Sequence, residues 1–225
     1  MIAPAFTRAL AQLPDPAFRS VLIKSLLVSA TVFVLLAIGL WAGLLVAPET
    51  GYGWLDWVIG ALSSLGLLIG MMLLFPAIMT AAISLFLDDI AAAVEARYYP
   101  TDAPGRPVAT APALWAALRF LGIVLVVNIA LLPLYAILLF FPPLLYGLSL
   151  LVNGYLIGRE YFEAVAFRYQ PRREADLLRR RRRGDVWLCG VLIVLLLTIP
   201  LVNFLVPIVA TAFMVHVYKR LRTTG

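Results

Sequence analysis

The sequence predicts an all-α integral membrane protein with two long transmembrane helices and two proline-broken, re-entrant (hemi-penetrating) helical hairpins. Three observations carry this reading. Hydrophobic residues make up 63% of the 225-residue chain and charged residues 13%, against roughly 45–50% and about 25% in soluble domains. Too few polar groups remain to cover a water-facing surface, and the mean hydropathy is +0.98. Four stretches are almost free of charge: residues 21–46 with Lys24 alone, 58–87, 120–158 and 186–218. The last two are interrupted by proline, at Pro133 and Pro142-Pro143 in one and at Pro200 and Pro207 in the other.

The chain reads as a single membrane domain over residues 1–225. Residues 1–20 form an interfacial N-terminal segment, not a signal peptide, since a mixed stretch precedes the first apolar run. Within it, residues 3–13 suit a short interfacial helix with Phe6, Leu10 and Leu13 on one side. Residues 21–46 and 58–87 are the transmembrane helices, because a helix rises ~1.5 Å per residue and about 20 residues cross a bilayer core. Gly39/Gly43 and Gly66/Gly70 give each a spacing at which helix backbones approach closely. Residues 47–57 link them, with Pro48, Gly51, Gly53 and the interface-suited Trp54 and Trp57.

Proline lacks an N–H and clashes with the preceding turn, so it marks a break or a tight turn. Around Pro200 and Pro207 the arms are about 14 and about 12 residues, or ~20 Å each, and neither crosses lipid. Residues 186–218 therefore read as a hairpin that enters and leaves on one side. By analogy so do residues 120–158, although their arms of about 21 and about 15 residues come near to spanning. Residues 100–112 are a proline-rich loop. Residues 159–185 form a basic cytoplasmic connection, in which a helix leaves the membrane over 159–169. Seven arginines follow within 172–183 as a headgroup-facing surface.

Every one of the 18 Lys and Arg lies in the N-terminal stretch through Lys24, in the connections 88–119 and 159–185, or in the tail; the link 47–57 has none. Positive residues stay cytoplasmic, so both termini and both long connections are expected on that side.

Little in the chain resembles catalytic machinery, and an enzyme is not expected. Cys189 stands alone and His216 is the only histidine; the latter reads as a polar interfacial residue near the end of an apolar run. Asp88 and Asp89 are adjacent, about 100° apart on a helix, and do not make a dyad. No metal set, cofactor loop or nucleic-acid surface emerges.

Anion handling has a physical basis. At Asp15-Pro16-Ala17-Phe18-Arg19, Asp15 suits an N-cap and Pro16 the first helical position. Free N–H groups of Ala17, Phe18 and Arg19, with the Arg19 guanidinium, then form a candidate anion site. Asp15 competes for the same N–H groups. Asn203 either hydrogen-bonds backbone freed by Pro200 and Pro207 or lines a permeation path. Arg159 and Glu163 are four apart and pair along one helix face; with Asn203 they are the candidate pore or gate residues.

The run Ile199-Pro200-Leu201-Val202-Asn203-Phe204-Leu205-Val206-Pro207-Ile208-Val209-Ala210 resembles the C-terminal signature of the CysZ sulfate-transporter family. Asn153-Gly154-Tyr155-Leu156-Ile157-Gly158-Arg159-Glu160-Tyr161-Phe162 is similar to that family's earlier hairpin exit. The resemblance implies a bacterial inner-membrane permease that admits sulfate for cysteine biosynthesis, built from two transmembrane helices and two hemi-penetrating hairpins and assembled as a homo-oligomer. It also implies sulfate binding at a Gly-Leu-Arg motif followed by a further arginine. Here those positions read Ala17-Phe18-Arg19 and Ser20, so Arg19 alone is retained. The alternative from the residues is a non-transporting membrane scaffold or assembly factor, whose arginine-rich connection grips anionic membrane lipid or a partner protein.

Overall fold

The computed structural model describes residues 2–45, 51–107 and 110–223, which form helices and turns with no strand among them. In chain order the helices are α1 (Ile2–Ala11), α2 (Pro16–Leu45), α3 (Gly53–Ser84), α4 (Leu87–Tyr98), α5 (Thr110–Leu138), α6 (Pro142–Ala166), α7 (Arg172–Arg181), α8 (Arg183–Leu197), α9 (Pro200–Asn203) and α10 (Val206–Thr223). Proline opens α2, α6 and α9, where its fixed φ suits a first turn and its missing N–H has no intrahelical acceptor anyway.

The first two apolar runs become α2 and α3, of 30 and 32 residues, or ~45 and ~48 Å at helical rise. They pack along each other. The buried Ser29 hydroxyl is satisfied there by Ser25 O at 2.6 Å and Met79 Sδ at 3.3 Å. The link between them is shorter than expected, since α3 begins at Gly53 and takes in Trp54, Asp56 and Trp57; residues 46–50 lie outside the described residues. Gly39, Gly43 and Gly66 have open space where a Cβ would stand, so their spacing brings no helix close within the protomer. Gly70 lies outside the residues whose side-chain surroundings are described.

Pro133 does not break its helix. It lies inside α5, where the loss of one hydrogen bond is absorbed because the bonds on either side persist. The interruption falls at residues 139–141, where Phe141 N–H bonds Leu138 O at 2.8 Å and Phe141 leaves the helical conformation (φ −131°, ψ 71°) ahead of Pro142. The arms α5 and α6 have 29 and 25 residues, or ~43 and ~37 Å. Each exceeds a ~30 Å bilayer core, so length does not force residues 120–158 to turn back. Among the described residues, Pro16–Gly43 and Leu118–Leu138 are long and apolar enough to cross a membrane, and none of the latter's apolar window is buried by the protomer.

Residues 186–218 do fold as helix, turn and helix, with arms α8 and α10 of 15 and 18 residues, or ~22 and ~27 Å. The outgoing arm is enclosed by protein. Every residue from Val206 to Lys219 is buried, with α1, α3, α4, α6 and α8 packed around α10. The expected interfacial helix is α1, but its inner face rests on α10 instead of lipid. Ala5 and Ala9 are buried and Phe6 meets Phe213 edge-on at 5.4 Å, while Leu10 is exposed.

The closest backbone approach joins α6 to α8. A Cβ on Gly158 would overlap Val186 O and stand 3.0 Å from Gly190 Cα; one on Gly190 would overlap Gly154 O and stand 2.6 Å from Gly158 N. Backbone cannot yield as a flexible side chain can. Gly158→Ala and Gly190→Ala are therefore expected to destabilise the fold by ~1–3 kcal/mol each, read as a lowered midpoint of thermal unfolding in detergent. Gly39→Ala, with open space around it, is expected to leave that midpoint within about 1 °C.

Candidate functional site

At the α2 N-terminus Asp15 caps the helix as its position suggests. Its Oδ1 accepts the Ala17 N–H at 3.1 Å, its main-chain O accepts the Arg19 N–H at 3.1 Å, and its Oδ2 accepts from Arg97 Nη1 at 3.0 Å. The Ala17 N–H, and after it Arg97, hold the Asp15 carboxyl below its usual range against the opposing effect of burial. Two of the three candidate N–H groups are thus engaged, leaving that of Phe18. The Phe18 side chain is fully buried in the core, Ala17 is half-buried, and the Arg19 side chain is exposed. The Arg19 guanidinium and the Phe18 N–H are what this terminus has left to offer an anion.

Arg159 and Glu163 do pair, Nε to Oε1 at 2.6 Å, with both side chains largely buried. A third residue joins them. Arg179 of α7 places Nε 3.2 Å from the same Glu163 oxygen and its Nη2 3.3 Å from Asp176 Oδ1. The Arg179 Nε–H is not aimed at Glu163 and has no hydrogen-bond acceptor, so Glu163 holds it by charge alone. Glu160, next along α6, is half-buried and unpaired, and burial pushes its carboxyl up to about 7. Asn203 is elsewhere. It is exposed on α9, past the end of α8, whereas Arg159 follows the Gly158 that touches the first half of α8. Its backbone N–H bonds Ile199 O at 2.9 Å, and its side chain does not bridge the backbone beside Pro200 or Pro207.

A larger polar tier escaped sequence reasoning. Glu95 of α4, 6% exposed, accepts the Tyr169 hydroxyl at 2.6 Å and Arg168 Nη2 at 3.3 Å on one oxygen, and the Gly105 N–H at 2.9 Å on the other. Arg168 also pairs with Asp88, while Asp89 turns to Lys24 at 3.8 Å; the two aspartates diverge as their spacing requires. Lys219 reaches Asp102 at 2.9 Å and lies over the Tyr169 ring at 4.6 Å. His216 is buried in protein, with Nδ1 2.9 Å from the Tyr99 hydroxyl and its ring edge-on to Tyr98. The side chains hydrogen-bonded to one another in this tier lie 73–117 positions apart, which no local pattern announces. A faint signal was available in polar residues sitting inside an otherwise apolar helix.

The family described as Sulfate transporter CysZ/Etoposide-induced protein 2.4 matches residues 5–207. The chain belongs to this family. The match takes in Arg19, Arg159, Glu163, Arg179 and Asn203, and stops before His216 and Lys219. No curated protein matches the chain. Family membership and the two helices long and apolar enough to cross a membrane together make this a membrane protein of a transporter family.

The Glu160 carboxyl supplies a pH signature. Its folded-state pKa of about 7 lies above the ordinary 4.5, so the folded chain binds the proton more tightly than the unfolded one. Stability is therefore expected to fall as pH rises from 4.5 through about 7. Thermal unfolding followed across that range should show the decline in the wild type and a flatter profile in Glu160→Gln.

Proposed function

We propose that the chain is a sulfate or related oxyanion permease of the bacterial inner membrane, channel-like, acting as a homo-oligomer and supplying sulfate for cysteine biosynthesis. The family match over residues 5–207 carries this reading. The exposed Arg19 beside the free Phe18 N–H supports it, since a divalent oxyanion leaving water needs charged and N–H donors in place of its hydration shell.

In this reading Arg19 receives the anion at the mouth of α2. Arg159 and Arg179 share Glu163, and an arriving oxyanion offers both guanidiniums the same chemistry as the carboxylate it displaces. Glu163 then acts as the internal anion that closes the path between transits. Asn203, exposed at the turn between α8 and α10, marks the far end of the α8–α10 hairpin, which is too short to cross and returns to the side it entered. One protomer has few elements with which to surround a pore, and α2 and α5 leave large apolar side chains such as Leu27, Leu35, Val126 and Ile129 exposed, so several copies enclose the conduit. Both termini face the cytoplasm.

Uptake of radioactive sulfate into liposomes holding the purified protein tests this. Uptake above that of empty liposomes is expected, reduced on the order of tenfold in Arg19→Ala, the worth of one charge-assisted hydrogen bond. Neutralising the exposed Arg180 and Arg183 to Gln is expected to spare uptake. Uptake indistinguishable from empty liposomes under several pH and salt gradients would overturn the proposal. The reverse ranking of the two variants would favour a scaffold that grips lipid.

A further inference from the structure

The arginine run on α7 divides into buried and outward members, and the outward ones border a cleft. Arg179 turns inward to Glu163 and Asp176. Arg181 and Arg182 face the opposite way, into a cleft of 520 Å³ closed on its other side by Leu221 and Arg222 of α10, with Gln170, Glu174, Leu177 and Leu178 completing the wall. Among the described residues Arg181 and Arg222 form no ion pair, and both are exposed. The wall also contains an amide donor, Gln170 Nε2, that finds no acceptor in the protein.

We propose that this cleft binds the headgroup of an anionic phospholipid. Two arguments select that occupant. The first is chemical: the exposed guanidiniums of Arg181 and Arg222 beside Leu177 and Leu178 match a ligand with phosphate at one end and hydrocarbon at the other. Glu174 at the start of α7 suits the hydroxyls of a glycerol headgroup, which can donate to it. The second is height. Arg183 begins α8 directly after the cleft's arginines, and the uncharged run that enters the membrane begins at Val186, three residues on. The antiparallel neighbour α10 passes from fully buried apolar residues to Arg220 and Arg222 at the same level. The cleft therefore sits where phosphates of the bilayer lie, at the base of the apolar segment. Binding there ties α7 to the end of α10, and through Arg179 to the Arg159–Glu163 pair. The site is independent of which anion the protein transports.

Native mass spectrometry of the full-length protein in detergent, with phosphatidylglycerol and phosphatidylcholine added in equal amounts, tests the proposal. Phosphatidylglycerol is expected to be retained on the order of tenfold better by the wild type. Arg181→Gln combined with Arg222→Gln should bring it down to the phosphatidylcholine level, while the paired Arg→Lys variant keeps most of the preference. Because both side chains are exposed, size-exclusion elution and helical circular dichroism of these variants should match the wild type. Leu177→Ser is expected to lower phosphatidylglycerol retention while leaving the protein folded. A preference for phosphatidylglycerol that survives the double Gln variant would overturn the assignment, as would its displacement by millimolar inorganic phosphate.

Discussion

From Val206 to Lys219 helix α10 has no face left for solvent of any kind, and that enclosure dictates much of what surrounds it. Fourteen consecutive residues from Val206 to Lys219 are buried, and they include Thr211, His216 and Lys219. A polar group taken out of water costs several kcal/mol unless it is paired (roughly 2–7 for a hydroxyl or amide). Each of these three finds a partner, although among the described residues His216 Nε2 and the neighbouring Tyr218 hydroxyl have none. Thr211 donates back to Pro207 O at 2.8 Å, His216 meets the Tyr99 hydroxyl, and Lys219 has Asp102 with the Tyr169 and Tyr99 rings beside it. Two of these partners lie in the loop after α4, so that loop has to lie against α10. Glu95 secures it from the other side through the Gly105 N–H, and the Arg168 carbonyl takes the Arg106 N–H at 2.8 Å. A Cβ on Gly105 would stand 2.9 Å from Glu95 Oε1 and 3.0 Å from Arg168 Nε, so a larger residue here would push those paired side chains aside.

What the sequence revealed and what it concealed divide along the range of the interaction. Uncharged runs located α2 and α3, Pro16 marked a helix start, and Pro142 and Pro200 marked breaks, because each effect acts within one turn of the chain. Pro133 misled for a related reason. A proline that breaks an isolated helix is tolerated when long apolar arms on both sides keep their own hydrogen bonds, as α5 does. Hydropathy also could not tell an apolar helix facing lipid from one facing protein. Residues 206–218 and 118–138 are both apolar runs, yet α10 is the hub and none of the apolar window of Leu118–Leu138 is buried. The glycines show the same limit. Gly39/Gly43 and Gly154/Gly158 share one spacing, and only the second pair has a backbone against it.

The candidate site was legible as a list of residues and not as an assembly. Arg159 with Glu163 followed from a spacing of four. Arg179 entered only through the turn that folds α7 back along α6, and sequence reasoning had placed it on a headgroup surface with its neighbours. Its burial changes its meaning: a largely buried guanidinium needs Glu163 and Asp176, whereas Arg180 and Arg181 remain exposed to whatever surrounds the protein. The seven arginines of residues 172–183 are thus two populations with different partners, and no count of charges separates them.

The α2 terminus shows how a cap and a binding site compete for the same atoms. A helix start offers N–H groups and the positive end of the dipole. Here Asp15 takes the Ala17 N–H, its own carbonyl takes that of Arg19, and Arg97 neutralises the carboxylate that remains. Arg97 matters in this arrangement because an unpaired Asp15 charge would repel any second anion at close range, by about 1 kcal/mol at 4 Å even in bulk water. With that charge offset and the N–H groups mostly spent, affinity at this end of α2 has to come from the Arg19 side chain. Arg19 therefore sits in the first turn against the helix dipole, where a cation is disfavoured by ~0.3–1 kcal/mol, and an incoming anion turns that cost into attraction.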